Sequence, residues 1–500
     1  MGGFRRSAVV AMIAAVVAGS VTGCGETNSV AGEQGLPWCP TVAGHAVDCG
    51  VVERPLVAEQ PGLGTVDVGY ALVRRAKADE PAAGTVLPNP GGPGVPMIAH
   101  AAEAAALAQG LLDDHDLLLI DARGTGVSSP LDCGLDDDAF AFGTRAQQQA
   151  AVQTCGTTLG ARAAGYTSAA TADDFDAVRA HLGIDTVVLY GISYGTYLMP
   201  VYAQRHPDRV RSMVLSGAYP ADFDRFQRPN AEAVSLALHR ICERSRVCDG
   251  STAVADLTAV AARLRETPIQ VHDPQPMRLD EGKLANLVFE AATTNAGARP
   301  AEIGALGLLP SALHAAARGD DGELREFVRV ALSGAGYENV DSYLAVACND
   351  YPTLWSMDAP PARREQQYRD ALATVGPTLG GFSTSGWLSG QRDGGDVCLR
   401  WPGLADHQRP DRIRDLRPPV PVLVISGDLD AITPDANGKL AAAAFPDATF
   451  VSVPNTGHVP EVEPSGCVAG VITEFVRTGA VGSTDCIGAV PPIAVRPVTD

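Results

Sequence analysis

Lysine is almost missing from this sequence: it supplies three of 38 basic residues, against 58 acidic ones, and the formal net charge is −20. So acidic a chain excludes the basic face that nucleic acid requires, and it offers no polybasic stretch to hold anionic lipid. Metal-binding spacings are absent as well. The cysteines are scattered, with no C-x-x-C and no H-E-x-x-H, so neither a metal nor a cofactor is expected. Beyond the N-terminus, no hydrophobic run approaches the roughly 20 residues of a spanning helix. No internal repeat or low-complexity tract is visible. What is present is a 500-residue chain with 46% hydrophobic residues, enough to bury a large core in one enlarged domain or two smaller ones.

The N-terminus reads as an export signal. Arg5-Arg6 precede the apolar stretch Ala8–Ala18, and Val21-Thr22-Gly23-Cys24 follows. This ending resembles the lipobox of bacterial lipoproteins, which implies that residues 1–23 are removed and that the Cys24 thiol carries a diacylglycerol. The chain would then be held by lipid alone to the outer face of a bacterial cytoplasmic membrane. The alternative is a plain secretory signal. Cysteine arithmetic fits lipidation: eleven cysteines are awkward for an exported protein, whereas ten remain once Cys24 is set apart. Ten allow on the order of a thousand pairings. Local spacing suggests Cys39–Cys49, Cys133–Cys155, Cys242–Cys248, Cys348–Cys398 and Cys467–Cys486.

Residues 24–59 read as a tether and N-terminal segment, polar and Gly-containing over 25–36. From 60 to 217, apolar strands alternate with helical patterns, which predicts a mostly parallel sheet covered on both faces. Residues 64–76 look like an exposed-edge strand, and the strands at 83–88, 115–120, 186–190 and 210–217 look buried. The next clear strand begins only at Val420, too far on for a loop in a compact fold. The interval 218–414 carries helical patterns at 231–245, 253–266 and 300–317 and reads as an inserted, mainly helical cap. Residues 415–500 resume the strand–helix order with 448–455 and 467–478, and the last dozen residues look extended.

One pentapeptide raises a chemical question. Gly191-Ile192-Ser193-Tyr194-Gly195 follows the strand TVVLY and fits G-x-S-x-G, a spacing that can expose a serine on a strained strand-to-helix turn. A serine alkoxide needs a base, and the base needs an orienting carboxylate. On this turn the chain order is Ser, acid, His. After the strand at 420–426 come Asp428 and Asp430, and beyond them the sequence offers one histidine, His458. Asp430 is the first choice and Asp428 the reserve. Tetrahedral oxyanions also need backbone donors; Tyr194 supplies one, and Gly92 in Asn89-Pro90-Gly91-Gly92-Pro93-Gly94 is the candidate for the other.

Together these motifs resemble the α/β-hydrolase serine peptidases of the prolyl iminopeptidase and tripeptidyl aminopeptidase group. NPGGPG is similar to that group's H-G-G-P-G loop, with Pro90 where the group has histidine. Asp121 to Ser128 resembles its D-x-R-G-x-G-x-S segment, GISYGT its nucleophile elbow, and GDLDAITP its G-x-x-D-x-x-T-P, which favours Asp430 over Asp428 and brings Thr433 close to the acid. Thr456-Gly457-His458 matches the histidine turn, with Val459 where glycine is common. The resemblance implies an exopeptidase that acts on peptides with free N-termini and removes one residue or a di- or tripeptide, with an amine-recognising carboxylate in the cap. Asp350, in Ala347-Cys348-Asn349-Asp350, is the candidate; otherwise it is an ordinary surface aspartate. Asp121 and Arg123 are read as a structural pair supporting the Gly/Pro loop. A carboxylesterase or lipase with the same triad, or a lipoprotein that binds without turnover, are the competing readings. Lipidation predicts that Cys24→Ser abolishes incorporation of labelled palmitate and moves the protein from the detergent phase to the aqueous phase on partitioning.

Overall fold

Continuous apolar runs bounded by glycine and proline become strands buried on both faces. The computed structural model describes residues 35–77, 79–333, 339–392, 394–404, 409–410 and 419–499. Eight strands form one sheet: β1 (Val47–Pro55), β2 (Thr65–Val73), β3 (Gly84–Asn89), β4 (His115–Ile120), β5 (Val187–Ile192), β6 (Val210–Ser216), β7 (Val422–Gly427) and β8 (Ala448–Val453). Their order across the sheet is β1-β2-β4-β3-β5-β6-β7-β8. β2 runs antiparallel to both β1 and β4, and the pairs from β4 to β8 are all parallel.

The edge differs from expectation. The strand at 65–73 is covered by β1, in register from Val47↔Val73 to Pro55↔Thr65. β1 comes from the segment read as a tether, where Gly50 and Pro55 interrupt the apolar pattern and the burial is only partial. Cys24 and the export segment lie outside the described residues.

Alternate residues of each strand enter opposite layers. Leu118, Ile120, Leu189, Met213 and Leu215 pack with helices α2 (Arg145–Leu159), α3 (Ser168–His181) and α4 (Gly195–Arg205), through Val152, Phe175, Val178 and Leu198. Leu117, Leu119, Val188, Val214, Leu423 and Ile425 face the other way, toward α1 (Ala101–Leu107) and α12 (Cys467–Thr478). The five disulfides pair as spacing suggested. No helix among the described residues is long and apolar enough to cross a membrane.

Between β6 and β7 the chain is mainly helical. It forms α5 (Arg228–Ser245), α6 (Gly250–Glu266), α7 (Ala305–Ala317), α8 (Gly322–Leu332), α9 (Val340–Asp350) and α10 (Pro361–Leu372), with two short hairpins; α11 (Asp435–Ala442) follows β7. Leu238, Leu257, Leu313, Phe327 and Trp387 give this insert a core of its own. α9 departs from that arrangement. Tyr343 to Cys348 join the core of the main sheet instead, and Cys348–Cys398 fastens the helix there. The C-terminal segment returns across the insert: Ala494 N–H donates to Pro300 O and Val498 N–H to Val247 O, while Arg496 pairs with Glu326 at 2.7 Å.

Asp121 and Arg123 are both buried and structural, but they do not pair with each other. Asp121 accepts the N–H groups of Ile98 at 2.8 Å and Val127 at 2.9 Å, which fixes the chain just past the Gly/Pro loop. Arg123 forms a two-pronged ion pair with Asp174, 2.7 Å on each side, and donates to Leu56 O and Gly165 O. Every prong of the guanidinium is used. Removing one partner strands the other charge in the core. Asp174→Ala should therefore cost about 3–5 kcal/mol in chemical unfolding followed by circular dichroism.

Candidate active site

The close approach of backbones explains the glycines of G-x-S-x-G. A Cβ on Gly191 would lie 2.3 Å from the Gly195 carbonyl oxygen, and one on Gly195 would lie 2.5 Å from that of Asn89. Between them Ser193 is held at φ +55°, a left-handed conformation that a side-chain-bearing residue seldom adopts. Two bonds over-determine it. Ser193 N–H donates to Ser216 O on β6 at 3.0 Å, and Thr196 Oγ donates to Ser193 O at 2.7 Å. The hydroxyl thus stands half-buried between the end of β5 and the first turn of α4.

The loop after β3 lies against this turn: a Cβ on Gly91 would be 3.0 Å from Tyr194 N. Asn89 Oδ1 accepts the Gly91 N–H at 3.1 Å. Among the described residues the N–H groups of Gly92 and Tyr194 meet no acceptor. The Gly91 contact brings this loop and the Tyr194 N–H together beside the serine.

The acid and the base stand at the ends of β7 and β8. Asp430 Oδ1 accepts the N–H groups of Ile432 at 2.7 Å and Thr433 at 3.2 Å. Its Oδ2 accepts Thr433 Oγ–H at 2.5 Å and His458 Nδ1–H at 2.9 Å. That bond places the ring proton on Nδ1 and leaves Nε2 as the basic nitrogen. The ring packs over Gly217, where an added Cβ would come 3.2 Å from His458 Cε1. Gly217 directly follows Ser216, the anchor of Ser193, so serine and histidine converge on one strand end. Ser193 Oγ and His458 Nε2 have no hydrogen-bond partner among the described residues. Asp428, the alternative acid, is engaged elsewhere: it pairs with Arg244 and accepts the Asn455 N–H at 2.8 Å.

Comparison with known proteins agrees with this geometry. Residues 84–244 match the alpha/beta hydrolase fold family, and residues 387–486 match the family described as TAP-like protein. The chain therefore has the α/β-hydrolase fold, and its C-terminal part is similar to the TAP-like family. The chain is 29% identical over 187 residues to the tripeptidyl aminopeptidase of Streptomyces lividans, a match covering 34% of this chain and 35% of that one. It is 29% identical over 213 residues to serine protease Hip1 of Mycobacterium tuberculosis H37Rv, 38% of each chain. The chain thus spans about a third of the length of these peptidase relatives. Carboxylesterase B of Mycobacterium tuberculosis CDC 1551 is 28% identical over 481 residues, covering 87% of this chain and 85% of that one.

The insert leans directly on the histidine turn. Gly457 N–H donates to Ala296 O at 2.8 Å and His458 N–H to Thr293 O at 3.3 Å. Just upstream, a π-helical turn at Leu287–Ala291 carries Glu290, whose carboxylate is bonded to Arg392 at 2.9 Å and Asn286 at 3.0 Å. Motif reading missed Glu290, as it missed Glu461, because neither lies in a recognisable spacing.

Asp350 is neither a surface aspartate nor an open receptor for an amine. It is 0% exposed at the end of α9, its Oδ2 accepts the Ser168 N–H at 2.5 Å, and its carbonyl oxygen accepts Tyr197 Oη–H at 2.9 Å. The reason is the packing of α9 into the main core, which sets Asp350 behind the elbow as a brace between α3 and α4.

Burial opposes charge on both members of the Asp430–His458 pair, and the pair overcomes it. The carboxyl is pushed up by burial, but the His458 charge and the bonds from His458 and Thr433 hold it below the usual carboxylate range. The imidazole is pulled down by burial, but Asp430, with smaller contributions from Glu461 and Glu290, raises it above the ordinary histidine value. A protonated imidazole cannot accept the serine proton, so reactivity of Ser193 should fall as pH drops through an ionisation above the usual 6.5 or so. Asp430→Asn should move that ionisation down and lower turnover by about 10⁴-fold; the rate of fluorophosphonate labelling against pH measures both.

Proposed function

We propose that the chain is a serine exopeptidase that releases one residue, or a di- or tripeptide, from free N-termini through an acyl-enzyme on Ser193. The observation that carries this reading is the convergence of the elbow serine and the Asp430–His458 couple on the end of β6. Ser193 Oγ attacks the peptide carbonyl as His458 Nε2 takes its proton, and Asp430 stabilises the imidazolium. The oxyanion is received by the N–H groups of Gly92 and Tyr194. His458 then gives the proton to the leaving amine, and water cleaves the acyl-enzyme by the same route.

The insert supplies the exopeptidase character in this reading. With Asp350 buried, Glu290 is our candidate to receive a substrate ammonium: it is half-exposed in the insert, paired with Arg392, and its charge acts on His458. The named peptidases among the relatives support peptide substrates. The five disulfides support export to an oxidising compartment, with Cys24 as the lipid-bearing residue. A carboxylesterase is the second reading, favoured by the longer alignment to carboxylesterase B.

A matched panel separates them: aminoacyl, dipeptidyl and tripeptidyl chromogenic amides, their N-acetylated counterparts, and nitrophenyl esters. For an exopeptidase, amide cleavage requires the free amine and falls roughly a millionfold in Ser193→Ala, while Glu290→Gln raises KM for free-amine substrates alone. Turnover of esters only would refute the peptidase reading and leave the esterase; no turnover of any substrate would favour a binding protein.

A further inference from the structure

Beside the histidine lies a carboxyl group that the hydrolytic steps above do not use. Glu461 occupies the single turn Pro460–Val462, three residues past His458, and is 3% exposed. Its two oxygens are filled from two different strands. Tyr190 Oη on β5 donates to Oε1 at 2.5 Å, and Ser216 Oγ on β6 donates to Oε2 at 2.7 Å. Those strands are the ones that hold the nucleophile: Tyr190 lies three residues before Ser193, and the Ser216 carbonyl anchors the Ser193 N–H. With each oxygen accepting from a hydroxyl, the group has the pattern of an ionised carboxylate, which accepts only.

We propose that Glu461 is a positioning residue that acts through His458: it locks the histidine turn to the strands carrying Ser193 and adds a second negative charge behind the imidazolium. Hydroxyl donors are what such a site requires, because they stabilise a buried carboxylate without neutralising it.

The electrostatic surroundings are consistent with this role. Burial raises the Glu461 carboxyl above the usual carboxylate range, and Tyr190, Ser216 and the nearby His458 offset part of that rise. His458 is faced by Asp430 from the loop after β7, by Glu461 from its own turn and by Glu290 from the insert. Glu463, two residues beyond Glu461, is engaged with the Ser465 and Val468 N–H groups. β7 and the first turns of α12, which also pack here, carry no charged side chain.

This inference rests on hydrolysis through Ser193 and His458, and not on exopeptidase specificity. Its test is the pH dependence of fluorophosphonate labelling of Ser193, which needs no knowledge of the substrate. Glu461→Gln should move the acid limb down by about half a pH unit or more and slow the plateau rate about threefold to tenfold. Glu461→Asp, which restores the charge, should return the limb to its wild-type position. A second route neutralises the group without changing it: the double variant Tyr190→Phe, Ser216→Ala removes both donors, so Glu461 retains its proton and the limb again moves down. That variant carries the test alone if the Gln variant does not fold. Slower labelling with an unmoved limb in both would reduce Glu461 to a brace and overturn the proposal. Wild-type protein that never labels would overturn it together with the triad, whereas labelling with the expected shifts but no amide cleavage would sink only the exopeptidase reading.

Discussion

A carboxylate as deeply buried as Asp430, at 2% exposure, is costly unless its oxygens are filled, and the loops after β7 and β8 are arranged to fill them. Two backbone N–H groups, one hydroxyl and one imidazole N–H converge on it. The sharp bend at 428–433 follows from that requirement, and so does the place of Thr433, whose hydroxyl bonds the acid while lying 3.0 Å from His458 Nδ1. The histidine turn must come to the aspartate, and the insert must come to the histidine turn.

The sheet behind the site accounts for its rigidity. Parallel strands deliver the serine, acid and histidine loops to one edge, the position at which open α/β sheets gather ligands. Strain at Ser193 is held by the neighbours of the elbow: carbonyl groups of Asn89 and Gly195 stand where any larger residue at 195 or 191 would collide. The local conformation is disfavoured, and the surrounding packing compensates for it.

Much of this was legible in the sequence, for identifiable reasons. Buried strands are short apolar runs with turn residues at both ends, so β3 to β8 stand out, and catalytic spacing is confined to short loops at their ends. β1 was not legible because its burial is partial and Gly50 and Pro55 break its pattern. α2 was also overlooked, although Thr144 and Gln147 form a reciprocal cap at its start; its surface is largely polar, and only Val152, Cys155 and Leu159 mark the buried stripe. Asp350, Glu290 and Glu461 fall in a different category. Their surroundings are made by contacts between residues far apart in the chain, and no local spacing records whether a carboxylate ends up behind an elbow, over a cleft or beneath a histidine.

The bonds from Gly457 and His458 to the carbonyl groups of Ala296 and Thr293 bear on how such enzymes diversify. An insert is commonly regarded as an exchangeable module, free to be swapped so that one catalytic base serves many substrates. Here part of the insert holds the backbone of His458 itself, and the C-terminal segment crosses back to hold Val247, Pro300 and Gly307. The exchangeable portion is therefore smaller than the insertion. A chimera that keeps residues 290–298 inherits the geometry of the histidine along with the new pocket, and one that replaces them must rebuild the catalytic centre from outside it.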